Sequence, residues 1–313
     1  MSADTVSFDA AAAYPEVAVV REKLATRDWA EIRRIVDGLT PAGRTTVLDA
    51  GAETPGVEDM LRDVLERDPG DSAAAVMLAN RLIDIGWEIR SGAAAEHVTS
   101  NQFAEFHDWL RQAEAVLIDA VARNPRDPAL WTARLITARG LQMGLAETRR
   151  RYDRVAALDP HHLPAQTQFL QTLCPKWSGS WEQLHPWCRD AMLAAPPGAV
   201  QGMLVAQAII ERWAALPAGT GTAYLKGAPA QAELDEAARR SVLHPAFGRD
   251  YGWVQAANTF AFAYSLSGDR RGAAAMFRML EHRATRMPWG YLGDNEGEIF
   301  DMHRRRAMSG GAR

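Results

Sequence analysis

Trp177, Trp181 and Trp187 lie close together in the chain, with Lys176, Glu182 and His185 interleaved and Trp213 following on a later segment. Trp177 and Trp181 are four residues apart, a spacing that puts both on one face of a helix. Such a group can build an aromatic wall for a ligand, with Glu182 and His185 as its polar groups. Glu211 and Arg212 would join them if the segments that carry them meet. Large aromatics also fill the gaps that short Ala-rich helices leave, and that plainer packing role is the alternative.

The other reactive side chains form weaker sets. Cys174, His185 and Cys188 read Cys-x10-His-x2-Cys, without the paired short spacings of a zinc site. Cys188 falls instead on a packing position, where a thiol acts as a small apolar group, so no metal site is assigned. His161 and His162 read as exposed turn residues. His97, Glu105 and His107 are the best acid/base cluster elsewhere, but an i, i+2 spacing separates Glu105 from His107 on a helix. Gly219-Thr-Gly-Thr lacks both the Gly-Lys-Ser/Thr ending and the preceding strand of a phosphate loop, and reads as a linker. The runs Arg149–Arg151 and Arg304–Arg306 read as solvated helix faces. No acid–base–nucleophile set emerges, so no catalytic residue and no cofactor is assigned.

The elements that must position these residues are helices. Aliphatics recur at three- and four-residue spacing, and alternating β-branched runs are nearly absent. Val17, Val20 and Leu24 mark a first helix. A turn at Arg27-Asp28 follows, then a second helix with Asp28 as N-cap and Trp29, Ile32, Ile35 and Val36 inward, ending at Gly38. Prolines set a longer period. Pro69, Pro125, Pro160 and Pro196 each follow an apolar helix and precede another, and Pro125, Pro160 and Pro196 are 35 and 36 residues apart. Counting back twelve, eight and five residues from each proline gives packing positions for a second helix. They are Val57, Leu61 and Val64; Ala113, Leu117 and Ala120; Thr148, Tyr152 and Val155; and Leu184, Cys188 and Ala191. Ten residues after each proline, a first helix offers Ala79, Leu135, Leu170 and Ala206 for close approach. Ala261, Tyr264 and Gly268, followed by Ala273, Phe277 and Leu280, repeat the pattern without the proline. Pro186 kinks its helix or marks a later start for it.

The register breaks twice. Pro69 to Pro125 spans 56 residues, which places an insertion of about 22 beyond one 34-residue period near Ser91–Gln102. The second break covers Pro217 to Pro229. The helix after it offers Glu233, Ala237 and Arg240 where apolar residues belong. The last six residues read as a frayed tail.

A period near 34 residues closed by proline resembles the tetratricopeptide-repeat-like superhelical proteins, over roughly residues 57–285 with gaps. The segment from Cys174 to Glu182, Cys-Pro-Lys-Trp-Ser-Gly-Ser-Trp-Glu, with Ile209-Ile-Glu-Arg-Trp213 after it, is similar to a group of uncharacterised helical-repeat proteins. That group reads Lys-Trp-x-Gly-Ser-His-Glu at the first place, where this chain has Trp181 for the His. Met287-Pro-Trp-Gly-Tyr-Leu292 is similar to the same group. The resemblance implies an all-α, α-α superhelical fold with irregular insertions, a single domain across 1–313. N-terminal helices would occupy 1–56, degenerate helix pairs 57–285, and a C-terminal helix with its tail 286–313. It implies no catalytic residue.

In such a stack the first helices line a concave face. The residue after each close-packing position then points into the groove: Asn80, Ile136, Gln171, Gln207 and Phe262. Arg139, Glu211 and Asn258 are further groove candidates. Asn and Gln both donate and accept, so a row of amides suits an extended peptide backbone or a polar ligand.

The balance of 35 Lys+Arg against 39 Asp+Glu argues against a nucleic-acid footprint or a polybasic membrane surface. The longest uncharged run, Ala191 to Ile210, is broken by Pro196-Pro197-Gly198. Two cysteines fit a reducing compartment, and the start of the chain has no signal-peptide pattern; a cytoplasmic protein is expected. The leading functional expectation is a scaffold that captures a protein or peptide partner in its groove. The alternatives are a small-molecule site or enzyme pocket near Trp177–Arg212, and a homo-oligomer that stacks through its end repeats.

Overall fold

The structure is a computed structural model, and residues 5–90 and 99–309 are described. Among them every regular element is helical apart from one isolated bridge between Ser7 and Arg283. The fold class is all-α. No helix among the described residues is long and apolar enough to cross a membrane.

The chain divides into two compact units. The N-proximal unit spans Tyr14–Gly179, and the C-proximal unit comprises Met1–Ala13 and Ser180–Arg313. The first contains α1 (Pro15–Ala25), α2 (Trp29–Asp37), α3 (Pro41–Ala52), α4 (Glu58–Arg67) and α5 (Ser72–Arg90). It continues with α6 (Ser100–Arg123), α7 (Pro128–Gly140), α8 (Leu145–Leu158) and α9 (Leu163–Leu173). Asp28 caps α2 by accepting from Glu31 N–H, and Gly38 closes that helix, as the sequence pattern requires.

Within this unit α5 pairs with α6 and α7 with α8. The first helices α5, α7 and α9 lie side by side, and α4, α6 and α8 each pack on the first helix that follows. The 56-residue gap between Pro69 and Pro125 is filled mainly by longer helices. α5 runs 19 residues and α6 runs 24. Thr99 and Gln102 form a reciprocal capping box that starts α6. The expected insertion therefore begins a helix at its C-terminal end, and its remainder at 91–98 lies outside the described residues.

α3 departs from the pair pattern. It lies against α5, α7 and α9 together and is tied to their N-terminal ends. Arg44 donates to Asp127, the N-cap of α7, at 2.8 Å and to Ser72 of α5 at 3.0 Å, while Thr45 Oγ1 meets the His162 ring 3.1 Å away at the start of α9. His162 is buried; the reading of it as an exposed turn residue is corrected, because α3 covers it.

The C-proximal unit holds α10 (Trp181–Ala194), α11 (Gly202–Ala214), α12 (Gly221–Lys226), α13 (Ala228–Arg240), α14 (Trp253–Ser267), α15 (Arg270–Leu280), α16 (Arg286–Trp289) and α17 (Glu296–Met308). α14 and α15 form a tight pair. Gly268 at φ +89° turns the chain and Asp269 caps α15; a left-handed residue at that point costs glycine least. Pro186 lies inside α10, and Gly219-Thr-Gly-Thr, expected as a linker, runs into α12, which lies within the register break at 217–229. α17 reaches Met308, and residues 310–313 lie outside the described residues.

The proline register predicted burial well. Of the twelve second-helix positions only Ala191 is not fully buried, and the four first-helix positions are all buried. Where the register failed, Glu233 is exposed and Arg240 half-buried, while Ala237 is buried.

Candidate functional site

On α5, Asn80, Asp84 and Trp87 follow at i, i+4 and i+7, one face of the helix. Asn80 is 5% exposed, and its Nδ2 donates to Asp49 Oδ1 on α3 at 3.0 Å. Its own Oδ1 is buried without a hydrogen-bond partner. Such an atom ordinarily costs about 1–3 kcal/mol.

The two carboxylates beside it are unusual. Asp84 is pushed up to about 7, by burial first and then by the charges of Asp49 and Glu53. Asp49 is pushed up to about 6, again by desolvation first and then by Glu53. Yet the Asp49 side chain is exposed and Asp84 half-buried. A carboxylate that loses hydration although water still reaches it lies in a concave part of the surface, here a recess between α3 and α5. Neither carboxylate has an ion-pair partner among the described residues. The nearby cations are committed elsewhere. Arg81 holds Glu58 at 3.0 Å and Glu88 at 3.5 Å, and Arg21 holds Glu53 at 2.9 Å.

Farther along the same three first helices, Ile136 and Arg139 on α7 and Gln168 and Gln171 on α9 stay half-buried. Arg139 donates to Gln168 Oε1 at 2.8 Å and to its carbonyl at 3.2 Å, joining α7 to α9. The guanidinium also lies 5.4 Å from the Trp177 ring centre, and Trp177 meets Trp87 edge-on at 6.1 Å.

The expected aromatic wall is not one group. Trp177 sits in the turn after α9, in the N-proximal unit, and α10 begins only at Trp181. The two share no helix, because Gly179 seats the chain against the Leu173 backbone, where a Cβ would collide. In the C-proximal unit Trp181 lies 4.9 Å from the Arg212 guanidinium and packs on His185. Trp213 packs on Phe262 and Tyr291, and Lys176 is exposed.

His185 is half-buried, and burial depresses its pKa. Arg212 adds to that, while Glu233 and Glu182 oppose it. Tyr224 is pushed up to about 12 by burial, then by Glu233. Glu182, exposed at the N-terminus of α10, is lowered by its own backbone N–H, then by Ser180. Glu182, His185 and Arg212 thus act on one another, joined by Glu233 and Tyr224. Glu211 is buried and accepts from the Tyr291 hydroxyl at 2.7 Å.

The remaining groove candidates divide by depth. Phe262 and Asn258 are wholly buried. Asn258 donates to the Val254 carbonyl and accepts from Trp289 Nε1 at 2.9 Å, so both residues belong to the core of α14 and not to a groove. Gln207 is half-buried on α11, its Oε1 buried without a partner. Asn80 belongs to the recess against α3. Glu105 is exposed while His107 packs on Phe103 and Phe106, and His97 lies outside the described residues. Cys174 and Cys188 are buried in different units.

No protein-family model, curated protein or solved structure matches this chain.

Proposed function

We propose that the chain is a tetratricopeptide-like binding protein, cytoplasmic, that takes a protein or peptide partner on the first-helix face of its N-proximal unit. The observation that carries this reading is a row of half-exposed groups on three adjacent helices whose other positions are mostly buried. Asp84, Ile136, Arg139, Gln168 and Gln171 form that row. α3 is tied to the N-terminal ends of those helices, and the row lies farther along them. Mixed carboxylate, guanidinium, amide and aliphatic groups suit an extended chain, whose backbone needs donors and acceptors and whose side chains need apolar contact.

The test is selection of binders to the full chain from a displayed random-peptide library, with affinities then measured by fluorescence anisotropy. Ile136→Arg and Gln171→Arg each weaken a selected peptide at least tenfold, and Ile118→Arg on the exposed side of α6 leaves it unchanged. Binding that survives both inner-face changes refutes the reading.

A second reading rests on the C-proximal unit, where His185 is flanked by Arg212, Glu182, Glu233 and Tyr224. It would be a small-molecule site with Trp181 as its wall. A metabolite that raises the melting temperature of the wild type but not of His185→Ala supports that reading.

A further inference from the structure

We propose that Asp49, Asp84 and the Asn80 amide form a binding site for a primary alkylammonium group. The ammonium is carried either by a lysine side chain of a bound peptide or by a free aliphatic amine. The proposal names the ligand chemistry of one end of the face described above and rests on that reading for the peptide source.

Three acceptor groups from two helices are close here. Asn80 on α5 donates its Nδ2 to Asp49 of α3, while its own carbonyl oxygen is buried without a partner. Asp84, one turn on, is near enough to Asp49 for the two charges to repel. An ammonium carries three donors that diverge from one point and matches three separate acceptors. A guanidinium is a planar fork that needs paired oxygens in one plane. Among the described residues no three carboxylate, imidazole or thiol groups converge as a metal site. The amide oxygen is buried, so a ligand reaches it only when a neighbouring side chain moves aside. Asp84, one turn on, makes no hydrogen bond or ion pair among the described residues and can move without breaking one.

The charges around the recess leave it in need of a cation. The charges that act on Asp84 are Asp49 of α3, Glu53 at the C-cap of α3, and Arg81 and Glu88 of α5 itself. Arg21 of α1 is held on Glu53, Glu58 of α4 holds Arg81, and Arg139 of α7 is held on Gln168. His107 of α6 packs on Phe103 and Phe106. Two carboxylates that repel each other in a recess gain most from a positive charge placed between them, and the bound cation in turn holds both ionised.

The experiment is isothermal titration of the full chain at pH 8 with three probes: spermidine, a lysine-containing hexapeptide, and the same peptide with arginine. Saturable binding of spermidine, of the lysine peptide, or of both supports the site, and their ratio identifies the source of the ammonium. Asp49→Asn and Asp84→Asn each weaken binding at least tenfold, Glu88→Gln changes it less than twofold, and affinity falls at least tenfold from pH 8 to pH 5. Three outcomes overturn the proposal: no saturable binding of either amine probe at millimolar concentration, binding indifferent to both Asp→Asn changes, or an arginine peptide that binds as tightly as the lysine one. Both variants lose a repulsive charge, so their melting temperatures at pH 8 do not fall and lost binding is not lost folding. If displayed peptides still require Ile136 and Gln171 but ignore Asp49 and Asp84, the ammonium site fails while the partner-binding face stands.

Discussion

Replacing Asp84 by Asn removes a charge that the fold holds at a cost, so the substitution stabilises the protein at high pH and not at low pH. A carboxyl moved from its ordinary 3.8 to about 7 corresponds to about 4 kcal/mol, at ~1.4 kcal/mol per tenfold change in the proton equilibrium. The group is partly exposed, and solvent and salt screen its neighbours, which leaves about 1–3 kcal/mol. The sign follows from proton counts. Below about pH 4 both folded and unfolded chains hold the proton, and the penalty is absent. Between about 4 and about 7 the folded chain holds more protons than the unfolded one, so wild-type stability falls as pH rises. Above about 7 the penalty is complete and constant. Asp84→Asn therefore melts about 2–12 °C above wild type at pH 8, at roughly 2–4 °C per kcal/mol, and within about 1 °C of it at pH 4. Melting curves by circular dichroism across that range test this. A variant less stable than wild type at pH 8, or a difference that does not change with pH, refutes a recess that penalises the Asp84 charge.

Three further substitutions probe the packing that holds the sites. Glu114 is buried between Arg134 at 2.6 Å and Arg151 at 2.9 Å, with Thr137 also donating to it. Glu114→Ala leaves Arg134 without its carboxylate and Arg151 with Glu147 alone, and lowers unfolding stability by about 3–5 kcal/mol in urea titration; a loss under about 1 kcal/mol contradicts the network. Gly202→Ala sets a methyl 2.5 Å from the Ala237 carbonyl oxygen and costs about 1–3 kcal/mol through forced separation of α11 and α13, where calorimetry without a drop in melting temperature counts against the close approach. Asn258→Ala strands the Trp289 N–H and costs about 1–3 kcal/mol, part of which Trp289→Phe restores in the double variant; additive losses would show that the two side chains are not coupled.

The helices and most of their buried faces were legible because apolar side chains repeat at the spacing that packing demands. Val57, Leu61, Val64, Ala79 and their counterparts are buried where counting from the prolines puts them. The aromatic group was misread because spacing alone cannot distinguish a helix from a turn. Trp177 and Trp181 have helical spacing, and only Gly179, forced against the backbone of Leu173, reveals a break. The place of α3 left no periodic trace, since a helix lying across three others repeats none of their register. The recess escaped in part for the same reason, as Asp49 belongs to α3, outside the counted pattern; Asp84 is on the counted helix α5 but one turn beyond its counted positions. A local signal existed in both cases: Asp49 interrupts Val47-Leu48 and Ala50-Gly51-Ala52, and Asp84 stands between Ile83 and Ile85. A lone acid inside an apolar run is an invitation to ask what neutralises it.

The N-proximal unit answers that question in two ways. Glu114 is balanced by two arginines and a hydroxyl. Burial alone would raise its pKa, but hydrogen bonds from Arg134 and Thr137, then the Arg151 charge, outweigh that and hold it below its ordinary value. Asp84 has an arginine one turn earlier, near enough to act on it, yet Arg81 is turned to Glu58 and Glu88. A cation is within reach and is spent on exposed and half-exposed partners, while two carboxylates in a recess go without. A fold built only for stability would reverse that allocation, because pairing the desolvated acid gains more than pairing the solvated one. The recess makes physical sense if its cation arrives from outside the chain.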